Sequence, residues 1–558
     1  MGRTLTPRSS LDALRKEARR WLKALHAGDA TARQRLLAAT PAAPALPTLR
    51  DVQLALAREH GLPGWSALRQ ALDDMALARR SQAERATIVL RSAWGGDPLA
   101  AARILARWPE IGTDSLHAAV AAGNRAEVVR RLAADPVAAS RKGGPLDWEP
   151  LLYLAYARLP GSGQWSAEIA RILLDHGADP NAKFLDDWGN PFTALTGVIG
   201  EGEGDRPPHP QAQTLALLLI GRGADPYDTQ ALYNTSITRD DTTWLDLLWT
   251  QSESRGRLPE WRQIAGPHLR GAIPLTPLDY LLGNAVANDH LRRAEWLVTH
   301  GADPDGTHAY SQRPLLEEAL VHGHVAMADL LVRHGAMVRP LEGQAAFQAA
   351  CMRLDREAAL SIAQQHPECL GDAAPMLIAC RNGRVDVVQL LLDLGMDPDV
   401  ADASQQRGLH NAAGNGAMDV ARLLIAHGAD IDRPTTGVGG GAMGFAAHFG
   451  HRDMARLLAP LSRDVVELTY LGMTDRLAEL FAEDAALANA EHPKFGTTPL
   501  FALPDDEDAA AAMAAFLLAH GADPRIKTRD GKTAEQVAQA RGLLDAADLL
   551  RGEDGDPG

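Results

Sequence analysis

The order of hydrophobic and polar positions along the chain predicts short amphipathic helices that recur many times. Apolar residues recur at helical spacing in runs such as 128–132 and 387–391, which places them on one face of a helix. The tetrapeptide Gly-Ala-Asp-Pro follows four such runs, at 177–180, 223–226, 301–304 and 521–524, and near copies begin at Gly335, Gly395 and Gly428. A phrase repeated in one local context indicates a supersecondary unit that is stacked many times.

Each part of the tetrapeptide has a predictable local role. Its glycine supplies the left-handed residue that closes a helix, and Asp-Pro turns the chain into a hairpin that leads to the next unit. Thr276-Pro277 and Thr498-Pro499 are typical helix starts, because the missing N–H of proline is no loss at the first helical position. The intervals from 301 to 335 and from 395 to 428 predict a period of about 33 residues.

These features resemble the ankyrin-repeat family. Its opening phrase is visible at Thr276-Pro-Leu-Asp and Thr498-Pro-Leu-Phe, and in part at 115–119 and 408–413, and its inter-helix glycine at Gly123, Gly323 and Gly450. The resemblance covers about residues 84–553. It implies an all-α fold, an ankyrin-repeat solenoid of about 12–14 helix pairs joined by β-hairpin loops. Residues 231–275 lack the helix-end motif, so the stack is expected to bend there.

Residues 1–80 are predicted to form a separate basic helical module. The segment 11–26 places apolar residues on one face of a helix and, on another, the cations Arg15, Lys16, Arg19, Arg20 and Lys23. A second helix is expected to end near Ala39, a third to begin at the capping-box-like Thr48, and a short fourth to carry Trp65. The phrase 49–65 resembles a module that precedes bacterial ankyrin arrays, which predicts a bacterial-type protein.

Charge is unevenly distributed between these parts. The chain carries a net charge of −15, of which residues 1–80 contribute +7, so the remainder carries −22. A basic face of this kind is typical of a module that binds nucleic acid or an anionic membrane surface. The favoured alternative is a solvated face, or one that packs against the acidic array. The acidic array itself favours a neutral or basic protein partner and makes nucleic acid unlikely.

Extra residues lie between the helices of two consecutive units, at 159–166 and 200–210. Insertions in consecutive repeats stack on the same side of a solenoid. We therefore expect a second contact surface there, to which the basic module packs, because Glu201, Glu203 and Asp205 are acidic. Tolerated loop lengthening is an equally good interpretation.

No motif in the sequence requires chemistry. The close histidines at 322–324 and 448–451 belong to the repeat phrase, the three cysteines have no Cys-x-x-Cys spacing, and the glycine-rich segment 437–441 lacks the Lys-Ser/Thr of a phosphate loop. The sequence predicts a non-enzymatic protein with no catalytic residues, no metal and no cofactor. The few cysteines, and the absence of a hydrophobic leader or an apolar run of about 20 residues, predict a cytoplasmic protein without a transmembrane segment.

The resemblance also implies where partners bind, namely at the hairpin tips and on the concave face formed by the first helices. The tip candidates are Asp186, Asp187, Trp188, Tyr227, His308, Tyr310, Gln406 and Arg407, and the first-helix candidates are Tyr153, Tyr156, Asn411, Phe445 and His448. Trp188 and Tyr310 are the preferred anchors because exposed aromatic residues dominate interface energies. For each aromatic residue, packing on the adjacent hairpin is the alternative.

The function predicted from these features is a protein–protein interaction scaffold. The alternative is an adaptor whose basic module binds nucleic acid or an anionic membrane surface while the array recruits a protein.

Overall fold

A computed structural model describes residues 3–6, 9–202, 206–264, 269, 272–436, 440–492 and 496–551. Within these ranges the chain is all-α, and its only strands are β1 (Lys183–Leu185) and β2 (Pro191–Thr193), which pair antiparallel. Contacts divide the chain into two compact units. One contains the residues up to Leu72 together with those from Pro340 onward, and the other contains Asp73–Arg339. None of the described helices is long and apolar enough to cross a bilayer.

The N-terminal module consists of α1 (Leu11–His26), α2 (Ala30–Ala39), α3 (Leu49–Glu59) and α4 (Trp65–Ala78). Its capping is as expected, since Thr48 and Asp51 form the reciprocal capping box at the start of α3. Leu14, Trp21, Leu56 and Leu68 are among the buried residues of a core that is separate from those of the repeats. The fourth helix is longer than predicted, because residues 65–78 contain no glycine or proline to end it.

Helix pairs make up the rest of both units. The unit 73–339 contains α5 (Gln82–Ser92), α6 (Pro98–Arg107), α7 (Leu116–Ala121), α8 (Arg125–Ala134), α9 (Pro150–Tyr156), α10 (Ser166–Asp175), α11 (Ala194–Ile199), α12 (Ala212–Gly221), α13 (Thr229–Thr235), α14 (Thr243–Ser254), α15 (Leu258–Trp261), α16 (Pro277–Ala287), α17 (Leu291–Thr299), α18 (Leu315–His322) and α19 (Val325–Arg333).

The residues from Pro340 onward contain α20 (Gly343–Met352), α21 (Arg356–Gln365), α22 (Ala374–Arg381), α23 (Val385–Asp393), α24 (Gly408–Gly414), α25 (Met418–Ala426), α26 (Ala442–His448), α27 (Arg452–Leu458), α28 (Val465–Tyr470), α29 (Thr474–Glu483), α30 (Glu507–Ala519), α31 (Ala534–Ala540) and α32 (Leu544–Leu550). A single 3-10 turn, Pro499–Phe501, takes the place of the first helix before α30. With α15 set aside, the described residues from Gln82 onward form fourteen successive pairs.

The repeated tetrapeptide has the predicted conformation in all four places. The glycines at 177, 223, 301 and 521 have φ between 87° and 107°, the left-handed region that closes a helix. Each following alanine is buried. Each aspartate accepts a hydrogen bond from the backbone N–H two residues later, as Asp179 does from Asn181 at 2.8 Å. The phrase therefore combines a helix stop, a packing contact and an Asx turn in four residues.

The basic face of α1 packs against the last repeats within its own unit. Arg15 forms ion pairs with Glu507 and Asp545, and Arg19 with Asp545 and Asp548. The acidic partners of Arg15 and Arg19 thus lie in α30 and α32, whereas the sequence analysis offers the insertion at 200–210 as the contact surface, with loop lengthening as an equally good interpretation. Of the acidic residues expected there, Glu203 and Asp205 lie outside the described residues.

Two further cations of this face have contacts within α1 itself. Lys16 Nζ lies 3.2 Å from Asp12 Oδ2, and Arg20 Nε donates to Lys16 O at 3.3 Å.

Candidate functional site

The hairpin formed by β1 and β2 presents the most exposed tryptophan at the tip of a rigid turn. Asp186 Oδ1 accepts hydrogen bonds from the backbone N–H groups of Trp188, at 2.9 Å, and Asn190, at 2.7 Å. Asp186 Oδ2 accepts a third, from Asn190 Nδ2 at 2.9 Å. The turn is held by its own first residue, and the Trp188 side chain is left 89% exposed. Asp187, beside it, is also exposed.

A stack of aromatic rings supports this hairpin from below. Phe184 and Phe192, paired across the two strands, stack with ring centroids 5.4 Å apart. Trp148 stacks on Phe184 at 4.3 Å, and Tyr156 meets Phe184 edge to face at 5.2 Å. Such contacts stabilise beyond simple burial, so the hairpin is fixed to the repeat that precedes it.

The second preferred anchor is held by another tyrosine. The hydroxyl groups of Tyr310 and Tyr280 lie 3.0 Å apart, and Tyr310 is 55% exposed. Burial, together with the hydrogen bond to Tyr310, raises the pKa of Tyr280 well above its ordinary value, so it is a neutral donor or acceptor at physiological pH.

Trp188 and Tyr310 line one cavity of about 710 Å³ in the unit 73–339. Its wall on the hairpin side includes Asp186, Asn190 and Phe192, and its floor is formed by residues of the first helices α9, α11 and α13 or just after them. The floor and remaining wall residues are Trp94, Tyr156, Arg158, Thr196, Gly197, Gly200, Glu201, Gly202, Arg206, Gln230, Tyr233 and Asn234. The volume falls within the range of small-molecule and peptide sites.

Glycine in α11 makes room for the aromatic floor. A Cβ at Gly197 would lie 2.6 Å from Tyr156 Cδ2, closer than packed carbon atoms approach. The Tyr156 ring is buried against this glycine and donates its hydroxyl proton to Thr193 O at 2.7 Å.

Two arginines enclose the side of the cavity nearest the insertion at 200–210. Arg206 lies over the ring of Trp94, with Cζ 3.7 Å from the ring centroid, and its Nη1 donates to Trp94 O at 2.8 Å. Arg158 donates to four backbone carbonyls: those of Ala155 at 2.8 Å, Ala157 at 3.1 Å, Gly197 at 2.6 Å and Pro207 at 3.0 Å. Because these carbonyls belong to different segments, Arg158 ties the insertion to the helix pairs.

The segments that contain the two insertions contact one another through Gln211, the residue that directly follows the second insertion. The side chain of Gln211 accepts from Ala167 N at 2.9 Å and donates to Gln164 O at 3.1 Å. His209, also from this segment, is buried next to Arg158, and burial lowers its pKa to about 4.

Four of the predicted binding residues in this unit are less accessible than expected. Tyr153 is buried, with its hydroxyl donating to Gly143 O at 3.0 Å, and His308 is buried with its Nδ1 3.0 Å from Ser311 Oγ. Tyr227 is half-buried beside Trp261, and burial raises its pKa to about 12. Tyr156 is buried but lines the cavity. The hydroxyl groups of Tyr153 and Tyr156 and the ring of His308 form hydrogen bonds within the protein, so position in a first helix or at a hairpin tip does not by itself make a residue accessible.

In the other unit, too, some of the predicted binding residues are buried and others are accessible. Asn411 is buried and donates from Nδ2 to Leu377 O at 2.9 Å, which links its helix to that of the preceding repeat. Arg407 is buried and donates to Gln405 O at 2.8 Å. Gln406 is half-buried, bonded to Asn411, and His448 is exposed. Phe445 is half-buried, leaving His448 as the accessible first-helix candidate here.

The arginines and Trp94 were not predicted as site residues. The length of the insertion at 200–210 is the signal in the sequence that marks this region, but its three acidic residues predict an acidic surface and not a role for Arg206. Trp94 lies in the turn just after α5, the first helix of a repeat with degenerate sequence.

Histidines that precede the capping glycines have a structural role. The Nδ1 atoms of His176, His300, His427 and His520 lie 2.7–2.9 Å from the carbonyl oxygen four residues earlier. Each ring thus adds a contact to a carbonyl of the last turn that also accepts from the backbone N–H of the same histidine. No group of three or more His, Cys, Asp or Glu side chains that could hold a metal ion occurs among the described residues. The three cysteines are free and buried.

Comparison with known proteins adds a family model described as ankyrin repeats (3 copies), which matches residues 282–402 and 376–469. Over 291 residues, or 48% of this chain, the sequence is 27% identical to ankyrin repeat and KH domain-containing protein mask-1 of Caenorhabditis elegans. It is 29% identical over 155 residues, 25% of this chain, to ankyrin repeat protein nuc-2 of Neurospora crassa. These matches span 11% and 14% of the two relatives' own lengths.

A third relative is matched over most of its length. Over 148 residues, 26% of this chain, the sequence is 26% identical to cyclin-dependent kinase 4 inhibitor B of Rattus norvegicus, and the match covers 90% of that protein.

Proposed function

Because this chain is an ankyrin-repeat protein, an all-α solenoid of repeats with an N-terminal helical module, we propose that it is a non-enzymatic scaffold that binds a protein partner. Ankyrin repeats are general protein-interaction modules. The binding surface that we propose consists of the β1–β2 hairpin tip, Tyr310 and the cavity between them, which we call the Trp188 surface.

One observation carries the proposal. Trp188 is the most exposed of the large hydrophobic side chains described, yet the turn that presents it is fixed by three hydrogen bonds to Asp186. Because the backbone that presents Trp188 is already fixed, binding costs little backbone entropy, and exposed tryptophan residues are frequent hot spots of interfaces. A large apolar side chain exposed to this extent on a hydrogen-bonded turn favours a partner that covers it.

The net charge of the array suggests the general nature of the partner. The acidic remainder of the chain favours a neutral or basic protein over an acidic one, through long-range steering. We place this interaction in the cytoplasm, in line with three free, buried cysteines. The adaptor hypothesis is the weaker candidate, because Arg15 and Arg19 already form ion pairs within the chain.

The test is quantitative capture of proteins from a native lysate by the full-length chain. We expect Trp188→Ala and Tyr310→Ala each to reduce recovery of the same partner at least tenfold, the loss typical of a hot-spot residue. Leu217→Ala is the matched control, because Leu217 is half exposed but lies on the second helix α12. Equal recovery of every captured protein by the wild type and both variants would contradict the proposal.

A further inference from the structure

The Trp188 surface contains positive charge that no carboxylate among the described residues neutralises. Arg158 donates only to backbone carbonyls, and Arg206 has one carbonyl partner and the face of Trp94. Burial lowers the pKa of both guanidinium groups, that of Arg158 to about 10, and the charge of Arg206 lowers the pKa of Arg158 further. Two like charges are thus held close together in a half-buried site, which is unfavourable without an anion.

The carboxylates that also line the cavity have other roles. Asp186 uses both oxygens within the hairpin turn. The Glu201 side chain is buried. Burial lowers the pKa of Arg293, and the charge of Glu201 acts in the opposite direction. Neither interaction places a carboxylate against Arg158 or Arg206.

The rest of the cavity has the chemistry of a site for a peptide side chain. Trp94, Phe192 and Tyr310 provide apolar walls, and Asn234 and Gln230 provide amides that are bonded to each other at 2.9 Å. A volume of about 710 Å³ is far larger than a single inorganic ion requires and opens beside the exposed Trp188.

Resting on the scaffold function proposed above, we propose that this cavity receives an anionic side chain of the partner, a carboxylate or a phosphomonoester, next to an aromatic or aliphatic residue that packs on Trp188. Arg206 is the primary contact, because guanidinium groups form strong, charge-assisted hydrogen bonds to planar and tetrahedral anions. Arg158 reinforces this attraction mainly by its charge, since its N–H groups hold the insertion. A partner that is neutral or basic overall satisfies both the long-range field and this local requirement.

Defined peptides test the inference with the full-length protein. Three pools of labelled ten-residue peptides share a Gly/Ser/Ala background and a central Phe-X pair, in which X is Glu, phosphoserine or Gln. Dissociation constants are measured by fluorescence polarisation. We expect the Glu or the phosphoserine pool to bind at least tenfold more tightly than the Gln pool, and the tighter of the two identifies the anion. Equal affinities for all three pools would overturn the inference.

Substitutions test whether Arg206 is responsible for the preference for an anionic peptide. Arg206→Gln is expected to abolish the preference for the anion, and Arg206→Lys to retain part of it, because lysine keeps the charge but not the planar fork. Trp188→Ala is expected to weaken all pools by the same factor and leave the preference unchanged. Arg171→Gln, an exposed arginine on α10, is the control and retains wild-type binding. A preference that survives in a folded Arg206→Gln variant would contradict the assignment.

The two proposals fail in different ways. If a partner is captured through Trp188 but the peptide pools bind equally well, the scaffold proposal stands and the anion-site proposal is wrong. A clear preference for an anionic pool, without a captured partner that depends on Trp188, would establish the site and contradict the scaffold.

Discussion

Arg15, in α1, places its Nε 3.5 Å from Asp545 Oδ1 in α32, and the two side chains are only 5% and 1% exposed. Glu507 pairs with Arg15 as well, and Arg19 pairs with Asp545. The core of the module is separate from the core of the repeats, so the contact is held mainly by these buried charges. Removal of one partner leaves the others buried without compensation.

We therefore expect Asp545→Asn to destabilise the packing of the module on the last repeats by about 3–5 kcal/mol. Hydrogen exchange should increase together in α1 and α32, which face each other across the ion pairs. Asp12→Asn removes the exposed pair with Lys16 and serves as control, with little change expected. Unchanged protection of α1 in Asp545→Asn would show that other contacts hold the module.

A single methyl group added in α11 is expected to disturb the floor of the Trp188 surface. Gly197→Ala places its Cβ against the Tyr156 ring, and overpacking of this kind costs about 1–3 kcal/mol. Gly221→Ala is the matched control, because Gly221 is also helical and has no atom within 4 Å of the added Cβ. It should be neutral or stabilising, by up to about 1 kcal/mol. Thermal unfolding of both variants checks the opposite signs.

The sequence contains enough information for the repeated elements but not for the site they build. Helix ends were predictable because Gly301 or Gly521 acts through local backbone rules that hold wherever the phrase occurs. The burial of Asn411 was not, because its bonding partner, Leu377 O, lies in the preceding repeat. The meeting of Trp188 with Tyr310 at one cavity depends on how successive repeats stack, which no spacing within a single repeat specifies.

Glu467 should make the protein less stable as pH rises through the weakly acidic range. Its carboxylate accepts from Gly441 N at 2.5 Å and Gly444 N at 3.2 Å, but burial first, and then the charges of Asp464 and Asp432, raise its pKa to about 7. Its ordinary pKa is 4.5. The folded protein therefore binds the proton more tightly than the unfolded chain does, and stability falls as pH rises from about 4.5 to 7.

The loss amounts to the order of 3 kcal/mol above pH 7. Glu467→Gln keeps an acceptor for the glycine N–H groups and removes the titration, so its stability should not vary with this group between pH 5 and 8. Urea unfolding of the wild type and the variant at both pH values makes the comparison. Parallel pH dependence in the two proteins would contradict the prediction.

His410, unlike Glu467, should make the protein less stable as pH falls. Its Nδ1 accepts from Arg407 N at 3.1 Å and its Nε2 donates to Arg433 O at 2.9 Å, so the ring is neutral with both nitrogens occupied. Burial lowers its pKa to about 4, against an ordinary value of 6.5. The unfolded chain takes up the proton first, and the stability present above pH 6.5 is lost as pH falls toward 4.

His410→Gln, which can both donate and accept, is expected to flatten this acid-side loss, measured as the change in thermal midpoint between pH 7 and pH 4.5. The control His366→Gln removes an exposed histidine and should keep the wild-type slope. An unchanged slope in His410→Gln would assign the acid sensitivity to other groups.

The contact between α1 and the last repeats also imposes an order on synthesis. Arg15 precedes its partner Glu507 by 492 positions, and a ribosome that adds roughly 5–20 residues per second needs about 25–100 s to cover that distance. The module has its own core and can fold early in this interval, but its cationic face has to wait for the final repeats to emerge. Completion of the native contact is therefore timed by translation, and a ribosome that stalls before residue 507 leaves that face open to the polyanions of its surroundings.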